Sequence, residues 1–184
     1  MTVRDLVRIA LFAAIIAALG LLPRIDIPIA AGVPITAQTL GVMLAGVMLG
    51  ARLGALAVLL FLFVVALGAP LLAGGRGGLG VLFGPTAGYL IGWIAGAYVC
   101  GLLMRALRGL PLFAATLIAA IGGGILVVYA FGVPWLAWKA NLSLTQAILG
   151  GLVFVPGDLI KAVATAFITV ATHRSAPSLI SGRA

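Results

Sequence analysis

Long apolar stretches run along the chain, each separated from the next by a short segment that contains charged residues, glycine or proline. A helix that crosses a bilayer needs about 20 mostly apolar residues, with a range near 17–25. The pattern therefore predicts six membrane spans, at residues 5–22, 36–49, 53–67, 85–107, 112–131 and 156–172. We expect an all-α integral membrane protein in which residues 1–184 form a single six-helix domain.

The segments between the predicted spans differ in character. Residues 50–52 are so few that the second and third spans should form an antiparallel hairpin, whereas Pro70 and the glycines of 74–80 predict a long irregular loop. Residues 142–152 are apolar but short, and we predict an interfacial or re-entrant helix there. Pro134 is predicted to open the fifth connection, which contains Trp135, Trp138 and Lys139.

Composition supports a membrane location. Hydrophobic residues make up 64% of the chain and charged residues 8%, against roughly 45–50% and 25% in an average globular protein. The mean hydropathy of +1.34 excludes a secreted enzyme, a DNA-binding domain and a disordered chain. The net charge is +8, but the 11 basic residues occur singly or in pairs, so we expect no nucleic-acid partner.

The basic residues also predict how the chain lies in the bilayer. With a cytoplasmic N-terminus, seven of them face the cytoplasm, three lie in outer connections and Lys161 falls within the last span. This asymmetry follows the positive-inside rule, so both termini should be cytoplasmic. The cytoplasmic set is Arg4, Arg8, Arg52, Arg105, Arg108, Arg174 and Arg183, and the outer set is Arg24, Arg76 and Lys139.

Small residues form three smooth surfaces where another helix can approach closely. Packing within the bundle explains all three, and the alternative is that one of them, most plausibly the alanine face, docks a partner subunit. They are the strip of Gly84, Gly88, Gly92 and Gly96, the face of Ala10, Ala14 and Ala18, and the run Gly122 to Gly124.

One pair of charged side chains falls inside a predicted span, where such groups are costly and usually functional. Asp158 and Lys161 are three residues apart and share a helical face. The alternative is structural, with Asp158 capping the helix that Pro156 begins and Lys161 neutralising it. The same face continues as a polar stripe that should point into the bundle, through Thr165, Thr169 and Thr172.

A second polar stripe and a loop are predicted to face this pair near the outer surface. The fourth span places Thr86, Tyr89 and Trp93 on one side, either as core or lipid-interface residues or as ligand contacts. The loop around Arg76 is too glycine-rich for a rigid scaffold, and it suits an anion site or a lid. Gln38 and Thr39 add hydrogen-bonding groups. We predict a pocket for a small ligand with an apolar body, a hydrogen-bonding head and an anionic tail.

Motifs for catalysis are missing from the sequence. It contains no G-x-x-x-x-G-K-[ST] loop for ATP and no H-E-x-x-H zinc motif. A single cysteine, Cys100, and a single histidine, His173, exclude a disulfide framework and a His-rich metal site. We therefore expect neither an enzyme nor a metal or cofactor in this chain.

Three stretches resemble a known family. Residues 73–93, AGGRGGLGVLFGPTAGYLIGW, 156–161, PGDLIK, and 34–46, PITAQTLGVMLAG, resemble the biotin-specific substrate-binding (S) components of energy-coupling-factor (ECF) transporters, the BioY family. The similarity covers essentially the whole chain. Two positions depart from the family pattern: Ala87 replaces a typical glycine and Trp93 a usual phenylalanine, which could crowd the pocket.

The resemblance implies a compact six-helix S component in the cytoplasmic membrane of a prokaryote, binding biotin with high affinity from outside. It implies uptake driven by a coupling transmembrane protein and two ATPase subunits that use ATP, with Ala10, Ala14 and Ala18 docking on the coupling protein. Together with the residue pattern, it predicts that Asp158 accepts hydrogen bonds from the ureido N–H groups and that Lys161 donates to the ureido oxygen or balances the aspartate. Arg76 would meet the carboxylate, although the reverse orientation is also open. Tyr89 and Trp93 would then pack on the fused ring. The alternatives are a carrier for another vitamin and a membrane scaffold, and self-association into a homo-oligomer stays open.

Overall fold

The computed structural model describes residues 1–23, 36–177 and 180, and within these ranges the chain is helical with no β-strand. Seven helices follow one another: α1 Val3–Gly20, α2 Gln38–Leu49, α3 Ala51–Ala66, α4 Ala87–Ala106, α5 Leu112–Lys139, α6 Leu144–Leu152 and α7 Val155–Ser175. The predicted all-α class is confirmed. Arg24 and Arg183, which entered the charge pattern, lie outside the described residues.

Three helices, α4, α5 and α7, are long and apolar enough to cross a membrane, and α2 and α3 are shorter apolar helices. The turn between α2 and α3 is tighter than predicted, because Gly50 alone separates them, in a left-handed conformation with φ of 84°.

Helix α1 begins two residues before the predicted span. Its start is fixed by a capping box, in which the Thr2 hydroxyl accepts the Asp5 N–H and the Asp5 carboxylate accepts the Thr2 N–H.

The fifth helix corrects the sequence-based prediction. Pro134 does not open a connection; it lies inside α5, which continues to Lys139. Proline removes one backbone donor and strains the preceding turn, but membrane helices tolerate it where neighbouring groups satisfy the backbone carbonyl that it frees. The connection to α6 is therefore only residues 140–143, and it is α5 that carries Trp135, Trp138 and Lys139.

Glycines let α4 lie directly against α5. A Cβ atom at Gly96 would lie 2.6 Å from the carbonyl oxygen of Gly123, and one at Gly92 would lie 2.8 Å from that of Val128. Gly88 meets α5 in the same way. Packing within the bundle is thus confirmed for three of the four predicted glycines, but Gly84 precedes α4 and has no such neighbour.

Helix α4 lies at the centre, against α2, α3 and α5; α7 packs on α5 and α2, and α6 packs on α5. Helix α1 packs on α2 and α3, with residues such as Phe12 and Ile16 buried, and not through Ala10, Ala14 and Ala18. Nothing in the described bundle buries that face: Ala10, Ala14 and Ala18 are all exposed.

Candidate functional site

A cavity opens between the first turns of α2, α4 and α7, the second half of α5 and the loop before α4. It contains about 600 Å³ of space free of protein atoms, including its open mouth. Its walls are formed by Thr36, Gln38, Thr39, Leu72, Arg76, Thr86, Tyr89, Leu90, Trp93, Val128, Tyr129, Phe154, Asp158 and Lys161.

An ion pair forms one wall. The Nζ atom of Lys161 lies 2.9 Å from Oδ1 of Asp158, one turn earlier on α7, and the two side chains are 16% and 7% exposed. Lys161 also donates to the hydroxyl of Thr39 on α2, at 3.0 Å. Taking two charges out of water costs several kcal/mol per ion unless further hydrogen bonds compensate. This pair therefore depends on the groups around it.

Three side chains donate to the Asp158 carboxylate. Lys161 and the Thr39 hydroxyl, at 3.2 Å, donate to Oδ1, and the Tyr129 hydroxyl of α5 donates to Oδ2 at 2.7 Å. Helix α7 begins after Phe154 and has no side-chain hydrogen bond at its N-cap. The alternative that Asp158 caps the helix is therefore wrong; its carboxylate joins α2, α5 and α7.

Aromatic side chains of α4 form the facing wall. Thr86, Tyr89 and Trp93 are all buried, and all three line the cavity. The Trp93 ring lies 6.4 Å from that of Phe61 on α3, and the Tyr89 ring meets Tyr129 edge-on at 6.1 Å. Among the described residues the Tyr89 hydroxyl has no hydrogen-bond partner, although it is buried. A buried hydroxyl beside a cavity is a group that a ligand can satisfy.

The glycine-rich loop has a defined course. Leu72 and Arg76 exchange two backbone hydrogen bonds across Gly74 and Gly75, which are both left-handed, and the Gly78 N–H donates to the Val65 carbonyl. Tight turns of this kind require positive φ, so the glycines shape the loop rather than loosen it. The loop thus has a defined, hydrogen-bonded course, and it places Arg76 on the cavity wall.

Gln38 lies at the cavity but turns its amide away from it. Its Nε2 donates to the carbonyls of Ile16, at 3.2 Å, and Leu71, at 3.1 Å, and its Oε1 accepts the Ala73 N–H at 3.1 Å. Gln38 is 1% exposed. Its side chain thus joins α1 and the glycine-rich loop to α2.

The structure brings all seven sequence-predicted site residues to the wall of one cavity. Along α7 the polar stripe does point into the bundle at Thr165 and Thr169, while Thr172 is half-buried; none of them reaches the cavity. Sequence reasoning missed Tyr129 and Phe154. The only signal for Tyr129 is its hydroxyl in the long apolar stretch 117–133.

No group of three or more histidine, cysteine, aspartate or glutamate side chains that could hold a metal occurs in the described ranges. Cys100 is fully buried and its thiol donates to the Ala119 carbonyl at 3.2 Å. The chemistry available in the cavity is therefore charge, hydrogen bonding and aromatic contact, which suits recognition of a small polar ligand.

A family model described as the BioY family matches residues 1–178. The chain belongs to the BioY family. A protein of Rhizobium etli named biotin transporter BioY is 55% identical to it over 173 residues, covering 91% of this chain and 92% of that protein. A protein of the same name from Rhodobacter capsulatus is 49% identical over 190 residues, covering 97% and 99%. The resemblance inferred from the motifs is confirmed.

BioY membership also accounts for the fold. The crystal structure of the S-component for biotin from an ECF-type ABC transporter matches with a TM-score of 0.87 and 34% identity, covering 95% of each chain. The helical arrangement of an S-component is thereby shown for this chain. Every residue on the cavity wall lies within the segment that the BioY model matches.

Proposed function

We propose that the chain binds biotin in this cavity and is the substrate-binding component of an ECF-type biotin transporter. The observation that carries the proposal is the buried Asp158–Lys161 pair on the wall of the cavity, in a chain of the BioY family. The names of its relatives support the choice of biotin as substrate.

The hydrogen-bonding capacity of the pair suits a cyclic urea. A carboxylate has about four acceptor positions, and Asp158 uses two on Oδ1 and one on Oδ2, which leaves one for a ureido N–H. Lys161 has three donors and uses two, which leaves one for the ureido oxygen. The unpartnered Tyr89 hydroxyl is available for the second N–H.

The remainder of the cavity suits the rest of the ligand. Tyr89 and Trp93 would pack on the fused ring, and Arg76 with neighbouring backbone amides would meet the carboxylate of the tail. Thr86 completes the wall, and Gln38 contributes by holding the loop that carries Arg76. If the ligand were reversed, with its carboxylate at Lys161, replacing Arg76 by glutamine would not alter discrimination between biotin and biotinamide.

Membrane topology and partners are part of the proposal. Helices α1 to α5 and α7 would form the six spans, with both termini in the cytoplasm and the cavity facing outwards. A coupling membrane protein and two ATPases would supply the energy of uptake. The exposed face of Ala10, Ala14 and Ala18 supports docking on the coupling protein, since small residues let helices approach closely.

Titrating the purified protein with biotin tests the proposal. The wild-type protein should bind, and Asp158→Asn should raise the Kd about 10- to 100-fold, the range for loss of a hydrogen bond to a charged group. Asp5→Asn is the matched control, because Asp5 lies in the capping box of α1, away from the cavity. It should leave the Kd unchanged.

The same titration separates the alternatives. A membrane scaffold would bind no biotin, and a carrier for another vitamin would bind that vitamin without competition from biotin. Wild-type affinity in the Asp158→Asn variant would remove Asp158 from the site.

A further inference from the structure

Tyr129 occupies a position in the bundle that the proposed binding mode leaves without a role. Its hydroxyl donates to Oδ2 of Asp158 at 2.7 Å, the shortest of the three hydrogen bonds to that carboxylate. Thr39 and Lys161 both donate to the other oxygen, Oδ1. Among the described donors to the carboxylate, Tyr129 is thus the one that binds Oδ2, the oxygen that has a free acceptor position for the ligand in the proposed binding mode.

A local change in helix geometry directs Tyr129 towards α7. Residues Gly122–Val127 of α5 are in π conformation, and Tyr129 follows two residues later. A π turn contains about one residue more than an α turn, so every later side chain is rotated by roughly 100° from its place in a continuous α-helix. The close packing of Gly123 on α4 and of Gly124 on Met43 holds this segment in place.

The apolar surroundings of Tyr129 favour the inward direction of its hydroxyl. Tyr129 lines the cavity and also a second groove, which lies between α5 and α6. Turning outward would place the hydroxyl among apolar side chains and leave it without a hydrogen bond, which is unfavourable. The groove is lined otherwise by Ala130, Val133, Pro134, Leu144, Ile148 and Leu152.

We propose that Tyr129 is a positioning residue for ligand binding, which fixes the Asp158 carboxylate so that the remaining acceptor position on Oδ2 faces the ligand. The inference rests on the proposed function and deepens it. Tyr129 acts through Asp158 and need not touch the ligand. Its contribution to affinity should therefore vanish when Asp158 no longer carries a carboxylate.

A double-mutant cycle with biotin titration tests this dependence. Tyr129→Phe removes only the hydroxyl and should raise the Kd about 10-fold, the lower end for a hydrogen bond to a charged group. In the Asp158→Asn background the same change should have little further effect. The control is Tyr98→Phe, because Tyr98 lies exposed on α4 and does not line the cavity.

A second measurement is independent of binding. The chain has three acidic residues, all aspartate, so ¹³C-carboxyl labelling of aspartate gives three signals. The signal lost in Asp158→Asn should shift in Tyr129→Phe and stay unchanged in Tyr98→Phe.

The outcomes distinguish the two proposals. An unchanged Kd and an unchanged carboxyl signal in Tyr129→Phe would overturn the role of Tyr129 while wild-type binding upheld the proposed function. Equal losses in both backgrounds would also overturn it, because Tyr129 would then act independently of Asp158. If the wild-type protein bound no biotin, the proposed function itself would fail, and the carboxyl signal would still report on the contact.

Discussion

The side chains of the cavity wall are of two kinds: some have hydrogen-bonding positions left for a ligand, and others hold the surrounding backbone in place. Asp158 and Lys161 each retain one unused hydrogen-bonding position, whereas the amide of Gln38 directs all three of its hydrogen bonds to backbone groups. The two kinds of residue should respond differently to substitution. Loss of a supporting residue should lower stability as well as affinity.

Replacement of Gln38 by leucine should lower the free energy of unfolding by about 3 kcal/mol, because buried backbone groups lose their partner at roughly 1–3 kcal/mol each. Thermal unfolding in detergent measures this as a fall in Tm of roughly 6–12 °C for a chain of this size. Gln146→Leu makes the same change at an exposed cap of α6 and should cost about 0.5 kcal/mol. Equal losses in the two variants would contradict the supporting role of Gln38.

The sequence was most informative about residues whose cost in a membrane is high. Asp158 and Lys161 stood out because charges are rarely placed in an apolar span without a function. Tyr129 did not, since a hydroxyl among apolar residues is common and its direction depends on the π segment before it. Gln38 was identified as a polar residue near the start of the second predicted span, at the same level as the other polar groups. Its partners on α1 and the loop cannot be inferred from the sequence.

Among the helices, α4 and α5 make a contact that depends on glycine. Its spacing of four residues on α4 predicted a close approach, and Gly88, Gly92 and Gly96 make it. The end of α5 was less predictable, because Pro134 reads as a helix breaker unless the surrounding bundle is known. The sequence pattern thus predicted the contact between the helices but not the residue at which α5 ends.

Substitution of alanine for Gly96 should destabilise the protein by about 1–3 kcal/mol or more, because the added methyl group would overlap the Gly123 carbonyl. The matched control is Gly157→Ala on α7, where no atom lies within 4 Å of an added Cβ. That change should raise stability by about 0.5–1 kcal/mol, since helical glycine is less favourable than alanine. Thermal unfolding would contradict the packing if Gly96→Ala were neutral.

For the whole molecule, the cavity can admit a ligand from one side of the membrane only if the bundle has a fixed orientation. Helices α2, α4 and α7 all begin at the cavity end, so this end should face outwards if the N-terminus is cytoplasmic. Arg105 and Arg108, beside the connection between α4 and α5, then lie at the opposite, cytoplasmic end.

Cysteine labelling of intact cells measures this orientation directly. The chain has one cysteine, Cys100, and it is fully buried, so the wild-type protein should not react with a membrane-impermeant maleimide. Leu79→Cys, at an exposed position in the loop beside the cavity, should be labelled in intact cells. Gly109→Cys, where an added side chain meets no neighbour, should be labelled only after the membrane is permeabilised. The opposite pattern would place the cavity on the cytoplasmic side. Binding in this cavity could then not be the first step of uptake from outside, and the proposed orientation would be wrong.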